Sequence, residues 1–371
     1  GGAGAPSDAS GSDETALDVE QSGGVAPAAN VFVYVAPNTD QGYIDAFARA
    51  IDGNIVDTLS TSWGEWEYLD AVQNPYSPPN VTDPTNGRTT TQLKAFNDLL
   101  TQAALQGQSA FAASGDSGSD DANRFFAPPD YSTVVSVDDP ASQPYITAAG
   151  GTTLPGPQTF GLPDGSTVTI NIANERAWSW DYLNSLCHTL GLDPVSCGIF
   201  PVGGGGGVSS YFPLPLYQYG IPGITTTARG QKLIDNTQTP PALLVTLPAG
   251  FHGRNVPDLS VNADPDTGYL LYYTSDQDGF GIDEFVGGTS FAAPQLNGVA
   301  ALLDQGLGHR VGLLNFALYN LVRSNRAYSG RNAPLRDIVH GNNEFYNATT
   351  GYDQATGVGV PNVANLLQAL Q

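Results

Sequence analysis

The sequence contains no methionine, only two cysteines and only four histidines. With no initiator methionine and no signal-like start, the chain reads as a processed mature polypeptide. No apolar run reaches the roughly 18 residues that a membrane-spanning helix needs. Basic residues are scarce: 13 Lys and Arg face 36 Asp and Glu, for a net charge of −23. Such a surface repels nucleic acid and anionic membranes and excludes both as partners. At neutral pH the charge opposes compaction. In acid most carboxylates are protonated and the strain falls, so the balance suits an acidic working environment. The cysteines, Cys187 and Cys197, enclose nine residues. A local disulfide is the preferred reading, with a stabilisation of about 2–3 kcal/mol and a fit to an oxidising compartment; two free structural thiols are the alternative.

What is present is a loop-rich globular composition, with 40% hydrophobic residues, 44 glycines and 27 prolines. A chain of 371 residues can bury a sizeable core, as one large α/β domain or as two smaller ones. The opening GGAGAPSDASGSD reads as a flexible terminus, after which Asp13 can cap a helix carrying Glu14, Leu17 and Asp18. VFVYVA (31–36) predicts a short buried parallel strand, QGYIDAFARAID (41–52) a helix, and NIVDTLSTSWG (54–64) a strand ending in a polar turn. A long amphipathic helix over 89–107 feeds the strand SAFAAS at 109–114. Strands alternating with helices predict a mostly parallel, doubly wound sheet. The stretch from about 150 to 285 reads as surface excursions around the same sheet. The five glycines Gly203 to Gly207 lack the Lys-Ser/Thr pair of a phosphate loop and predict a mobile loop near a cleft. Asn80-Val81-Thr82 and Asn347-Ala348-Thr349 match the glycosylation acceptor pattern.

Three segments carry chemistry. VGGTSFAAPQ (286–295) places Ser290 where a tight glycine turn enters a helix that tolerates Pro294 in its first turn. There a hydroxyl is exposed and nearby N–H groups favour developing negative charge. Taken alone, a serine at that place is more often a helix cap. Glu14 and Asp18, spaced i, i+4, share one helix face. Buried together, they would repel, raise at least one pKa and share a proton; alone, such pairs are usually a solvated face. SGDSG (114–118) follows a predicted strand, and its glycines let the backbone turn sharply around Asp116. On its own it is an ordinary Asp turn. None of His188, His252, His309 and His340 lies in a histidine-centred motif, so the base for Ser290 has to be sought elsewhere.

In the order Glu14, Asp18, Asp116, Ser290 these segments resemble the sedolisins, or serine-carboxyl peptidases. LSTSWG (59–64), ASGDSG (113–118), VDDPASQPYITAAGGTTL (137–154), VPDLSVNADPDTGY (256–269), VGGTSFAAP (286–294) and DIVHGNN (337–343) each look like that family's segments, in the family's order. The resemblance implies an α/β, subtilisin-like doubly wound fold, its mostly parallel central sheet flanked by helices on both faces, with residues 1–371 forming a single peptidase domain. Ser290 then matches the nucleophile, Glu14 its general base, Asp18 the carboxylate supporting Glu14, and Asp116 the oxyanion donor. A carboxylate base stays ionised or proton-shared at low pH, where an imidazole would be fully protonated. A neutral Asp116 can donate to an oxyanion.

The resemblance further implies an acid-active endopeptidase that acts on polypeptides through an acyl-enzyme. Tripeptidyl-peptidase activity or an inactive secreted binding protein is the alternative. A lipase-like G-x-S-x-G around Ser117 fails at its last position, Ser119. Ser62, Trp63, Gly64, Ser114 and Gly115 match segments that hold substrate by strand addition. Asp337 and Asp353, with the carbonyls of Ile338, Thr349 and Gly351, match a site for one structural Ca2+ in the loop region 337–360. A secreted or lysosome-like setting and a prosegment removed on maturation are expected. One departure stands out: the family carries a strand ahead of its Glu-xxx-Asp helix, whereas thirteen residues precede Glu14. The expectation is a strand supplied by a second chain or replaced by local rearrangement.

Overall fold

The computed structural model describes residues 11–71, 81–275 and 279–371. Asn80 of the first glycosylation pattern and most of the glycine-rich opening lie outside the described residues, whereas Asn347 of the second is exposed. A five-stranded sheet forms the centre. Strand β1 (Thr58–Thr61) pairs in parallel with β2 (Ser109–Ala113), and β2 with β3 (Thr147–Thr153). The short β4 (Arg176–Ala177) meets the end of β3 in antiparallel register. Parallel pairing resumes between β3 and β5 (Leu259–Asn262).

All five residues of β2 are buried, as expected of a strand covered on both faces. Its side chains alternate between two cores. Phe111 and Ala113 pack with Leu296, Val299, Leu303 and Leu318 on one side. Ala110 and Ala112 pack with Ile44, Ile51, Phe96 and Leu99 on the other. The period of two in the strand therefore meets helices on both faces.

Helix α1 (Ser12–Val25) begins one residue before Asp13, so Asp13 sits in the first turn and Gly11 holds the cap position. Helix α2 (Asp40–Gly53) starts where Thr39 accepts from the Gly42 N–H at 3.0 Å and stops at Asn54, whose φ of 46 leaves the helix. Helix α3 (Gln92–Leu105) ends before Gly107. Helix α4 (Thr289–Leu307) follows the glycine turn as predicted, and α5 (Asn315–Arg323) comes after it. The hairpin β6 (Tyr269–Ser275) and β7 (Gly279–Val286) closes over α1, with Tyr269 stacked on Phe291 at 4.8 Å and Leu17 buried beside Leu271. Among the described residues, no helix is long and apolar enough to cross a membrane.

Three expectations need correction. VFVYVA forms no strand: residues 31–36 have no regular structure, and Val31, Phe32, Val33 and Val35 are exposed. The composition is strand-like, but a parallel strand needs an adjacent partner, and no described segment lies against it in a ladder. Gly203 to Gly207 are buried and bonded on both sides rather than mobile. The Gly203 N–H donates to the Asp116 carbonyl at 3.0 Å, the Gly205 N–H to the Gly115 carbonyl at 2.7 Å, and a Cβ on Gly205 would lie 1.7 Å from the Ser114 carbonyl oxygen. The glycines permit close backbone approach. Pro294 lies sixth in α4, beyond the first turn.

Cys187 and Cys197 form a disulfide with a Cα–Cα distance of 5.8 Å, which resolves the pairing in favour of the local bridge. Asp264 caps the turn 265–267 by accepting from the Asp266 N–H.

Candidate active site

Ser290 is the second residue of α4, and its helix enters from Gly288 at φ 112. A Cβ on Gly288 would stand 2.7 Å from Asp116 Oδ2, so the turn demands glycine twice over. Asp116 arrives on the loop after β2, at the carboxyl ends of the parallel strands where α/β folds gather reactive groups. Asp116 Oδ1 accepts from the Thr289 N–H at 2.7 Å and from Thr289 Oγ1 at 2.8 Å. Both donors use one oxygen, which leaves Oδ2 as the atom that can carry a proton. Surrounding protein raises the Asp116 pKa, while the two Thr289 bonds lower it.

Helix α1 brings Glu14 into the same cleft as Ser290. Burial raises the Glu14 pKa to about 7 against the lowering effect of the Ser290 hydroxyl, with the charges of Asp18 and Asp116 adding to the rise. Glu14 Oε1 is buried without a partner. Asp18, one turn along, bonds not to Glu14 but to Ser62: its Oδ1 lies 2.7 Å from Ser62 Oγ. Burial raises Asp18 to about 7 as well. Ser62 Oγ also lies 3.0 Å from the Ser290 carbonyl. That carbonyl is available because Pro294, four residues on, has no N–H to complete the helical bond. Helix α1 is held in place by Ser22 Oγ, which donates to the Pro294 carbonyl at 3.2 Å, and by Gly298, where a Cβ would press on Val25.

Glu14, Ser62, Asp116 and Ser290 line a cleft of about 220 Å³ together with Trp63, Gly115, Ser117, Arg124, Asp138 and Thr289. Of the five expected substrate contacts, Ser62, Trp63 and Gly115 face the cleft. Gly64 lines a neighbouring groove instead. Ser114 is buried, with its Oγ donating to the Gly205 carbonyl at 2.8 Å. All four histidines are exposed and none borders the cleft.

Three cleft residues were not assigned a role from the sequence. Thr289 sits inside the quoted GGTS segment and positions Asp116. Asp138 sits inside the quoted VDDPAS segment, and Arg124 in no motif at all. Arg124 Nη1 donates to Asp138 Oδ2 at 3.0 Å and to the Gly64 carbonyl at 2.7 Å. Burial raises Asp138 well above the usual carboxylate range, with Asp121 pushing in the same direction and Arg124 opposing.

The expected calcium ligands share one loop. Asp337 Oδ2 accepts from the Gly351 N–H at 3.0 Å, and Asp353 Oδ2 from the Thr349 N–H at 2.7 Å. Asp337 Oδ1 is buried without a partner. Ile338 is buried beside it. Among the described residues, no cluster of three or more His, Cys, Asp or Glu side chains could hold a metal.

Comparison with known proteins places the chain in a family. Residues 3–317 match the model of the subtilase family, Peptidase S8. Kumamolisin of Bacillus sp. (strain MN-32) is 31% identical over 367 residues, covering 96% of this chain and 50% of the relative. Sedolisin of Pseudomonas sp. (strain 101) is 28% identical over 331 residues, covering 88% of this chain and 42% of the relative. The chain thus spans half or less of the length of these curated relatives. The solved structure of Pseudomonas sedolisin, a serine-carboxyl proteinase complexed with two molecules of pseudo-iodotyrostatin, aligns at a TM-score of 0.66 and 26% identity, covering 97% of this chain and 79% of that one. A parallel central sheet with helices on both faces, a serine at the start of α4 and these likenesses lead to one conclusion: the chain belongs to the subtilase family and, within it, to the sedolisins.

Proposed function

We propose that the chain is an acid-active serine-carboxyl endopeptidase whose 371 residues form one peptidase domain. The observation that carries the reading is the placement of Glu14, Asp116 and Ser290 in one cleft whose lining contains no histidine. Glu14 takes the Ser290 proton as Oγ attacks the substrate carbonyl. A neutral Asp116 donates from Oδ2 to the oxyanion, the protonated Glu14 delivers its proton to the leaving amine, and water then hydrolyses the acyl-enzyme. Asp18 holds Ser62, and Ser62 holds the Ser290 carbonyl, so the second carboxylate steadies the nucleophile as well as the field around Glu14. Polypeptide backbones would lie along Ser62, Trp63 and Gly115.

The loop 337–353 fits a hard cation. Its donors are oxygens, and the unpartnered, buried Asp337 Oδ1 is a ligand in search of a positive charge. Asp337 and Asp353 would hold one Ca2+ with the carbonyls of Ile338, Thr349 and Gly351, and the ion would neutralise the two carboxylates and tie the loop down. A disulfide and an acidic surface go with secretion or a lysosome-like compartment, and with synthesis behind a removable prosegment.

The test is peptide hydrolysis from about pH 3 to about pH 8 by the wild type, Glu14→Ala and Ser290→Ala. The reading expects activity on the acid side of neutrality that both variants lose. Activity that peaks near neutrality and survives Glu14→Ala would sink it.

A further inference from the structure

Thr289 fixes Asp116 at its carboxyl, and two other segments fix its main chain. On one side runs the glycine segment 203–207. The Gly203 N–H donates to the Asp116 carbonyl at 3.0 Å, and the Gly118 N–H donates back to the Gly203 carbonyl at 2.8 Å. On the other side lies the loop 342–346. The Ser119 N–H donates to the Asn343 carbonyl at 2.9 Å, and Ser119 Oγ accepts from the Phe345 N–H at 3.2 Å. The fit is close: a Cβ on Gly118 would lie 2.9 Å from Glu344 Cγ and 3.0 Å from the Asn343 carbonyl oxygen. The turn that carries Asp116 is therefore held in a clamp.

Asn343 joins the two jaws. It is fully buried, and its Nδ2 donates to the Gln354 carbonyl at 3.0 Å and to the Gly206 carbonyl at 3.4 Å. Its Oδ1 accepts from the Tyr346 N–H at 3.2 Å. A carboxamide supplies two donors and an acceptor at this length. An aspartate here would set a carboxylate against two carbonyls, and an apolar side chain would leave those carbonyls and an N–H unpaired. The next residue, Glu344, has a φ of 79, a left-handed backbone that side chains other than glycine rarely adopt. Such a conformation persists where the surroundings over-determine it. We propose that Asn343 is a positioning residue for the reaction: it locks the loop 342–346 to the glycine segment, and the closed clamp holds Asp116 beside Ser290. Asn343 itself is not part of the cleft lining. The role rests on the peptidase reading of the site, because it reaches the chemistry through Asp116 alone. An oxyanion exists only in the transition state and the intermediate, so a displaced Asp116 costs kcat and leaves KM.

Steady-state kinetics of Asn343→Ala in two backgrounds tests the role, with the folded fraction read by circular dichroism. In the wild-type background kcat per folded molecule is expected to fall about tenfold with KM unchanged. In an Asp116→Ala background, which has no carboxyl left to position, Asn343→Ala is expected to cut kcat no further. Amide hydrogen exchange at Gly118 and Ser119 is expected to quicken about tenfold in Asn343→Ala. Equal cuts in both backgrounds would show that Asn343 serves the fold at large, and would overturn the positioning role. An unchanged kcat with quickened exchange would overturn it too. If Asn343→Ala does not fold, Ser119→Ala carries the test, since it removes only the acceptor for the Phe345 N–H. It is expected to lower kcat about threefold with KM unchanged, and again by nothing in the Asp116→Ala background. Unchanged kcat in Ser119→Ala, or the same cut in both backgrounds, then overturns the role. No hydrolysis by the wild type at any pH is a different result: it removes the peptidase reading, and the role of Asn343 falls with it.

Discussion

Pro294 leaves the Ser290 carbonyl without its helical partner, and Ser62 Oγ stands 3.0 Å from it in that partner's place. The same hydroxyl lies 2.7 Å from Asp18, so an imino acid in a helix connects the Asp18 carboxylate to the backbone of Ser290. Pro294→Ala restores an N–H that competes for the carbonyl. Removal of an interior proline is expected to stabilise the helix by up to about 3 kcal/mol. It is also expected to cut kcat/KM by about tenfold. Ser62→Ala makes the same cut with no gain in stability. Paired thermal melts and steady-state kinetics check both.

Removing the Ser62 hydroxyl has a second consequence. Its bond lowers the Asp18 pKa against the rise caused by burial. Without it Asp18 holds its proton to higher pH and no longer raises Glu14 by its charge over that range, so the neutral-side limb of the pH–rate profile is expected to move down in Ser62→Ala. A profile with unmoved limbs would separate Asp18 from the titrating pair.

The wild-type profile itself follows from the protonation states. In the proposed mechanism the productive state has Glu14 ionised and Asp116 neutral, one proton fewer than the fully protonated pair and one more than the fully ionised pair. Glu14 titrates near 7 and Asp116 above its usual 3.8. The profile is therefore expected to be a bell that falls away where both groups are protonated and where both are ionised. Its two limbs belong to the coupled carboxyls jointly. A kcat/KM profile over about pH 3 to 8 measures it.

Stability is expected to follow the same direction. Burial raises Glu14, Asp18, Glu67 and Asp120 to about 7, Asp121 to about 6 and Asp139 to about 8. Folded-state pKa values above the unfolded ones mean that the native state holds the extra protons. Their contribution is complete below the unfolded values near 4 and is lost as pH climbs through 6 to 8. The unfolding midpoint is expected to fall by about 5 °C or more from pH 5 to pH 8. Scanning calorimetry across that range decides the point, and a rising midpoint would contradict it.

Calcium supplies the last prediction. An ion bound only by the folded chain stabilises it by about 2.7 kcal/mol at a hundredfold excess over Kd. The melting temperature is expected to rise with added Ca2+ and not with Mg2+, and Asp337→Asn is expected to lose the response. Thermal shift assays with each ion measure it directly.

The sequence determined the chemistry-bearing groups and two strands of the sheet, β1 and β2. SAFAAS becomes β2 within a residue, and QGYIDAFARAID becomes α2 because Thr39 and Asn54 punctuate it. The glycines around Asp116 and before Ser290 reported their tight turns in advance, since such conformations are written in one or two neighbouring residues. Partnership across the chain was not legible. Asp18 finds Ser62 across 44 residues, Asp116 finds Thr289 across 173, and Ser62 finds the Ser290 carbonyl across 228. VFVYVA has the composition of a buried strand and is exposed, while Gly203 to Gly207 have the composition of a loose loop and are buried. Composition and period set what a segment can do locally; pairing needs a second edge or surface, and only the tertiary structure places it.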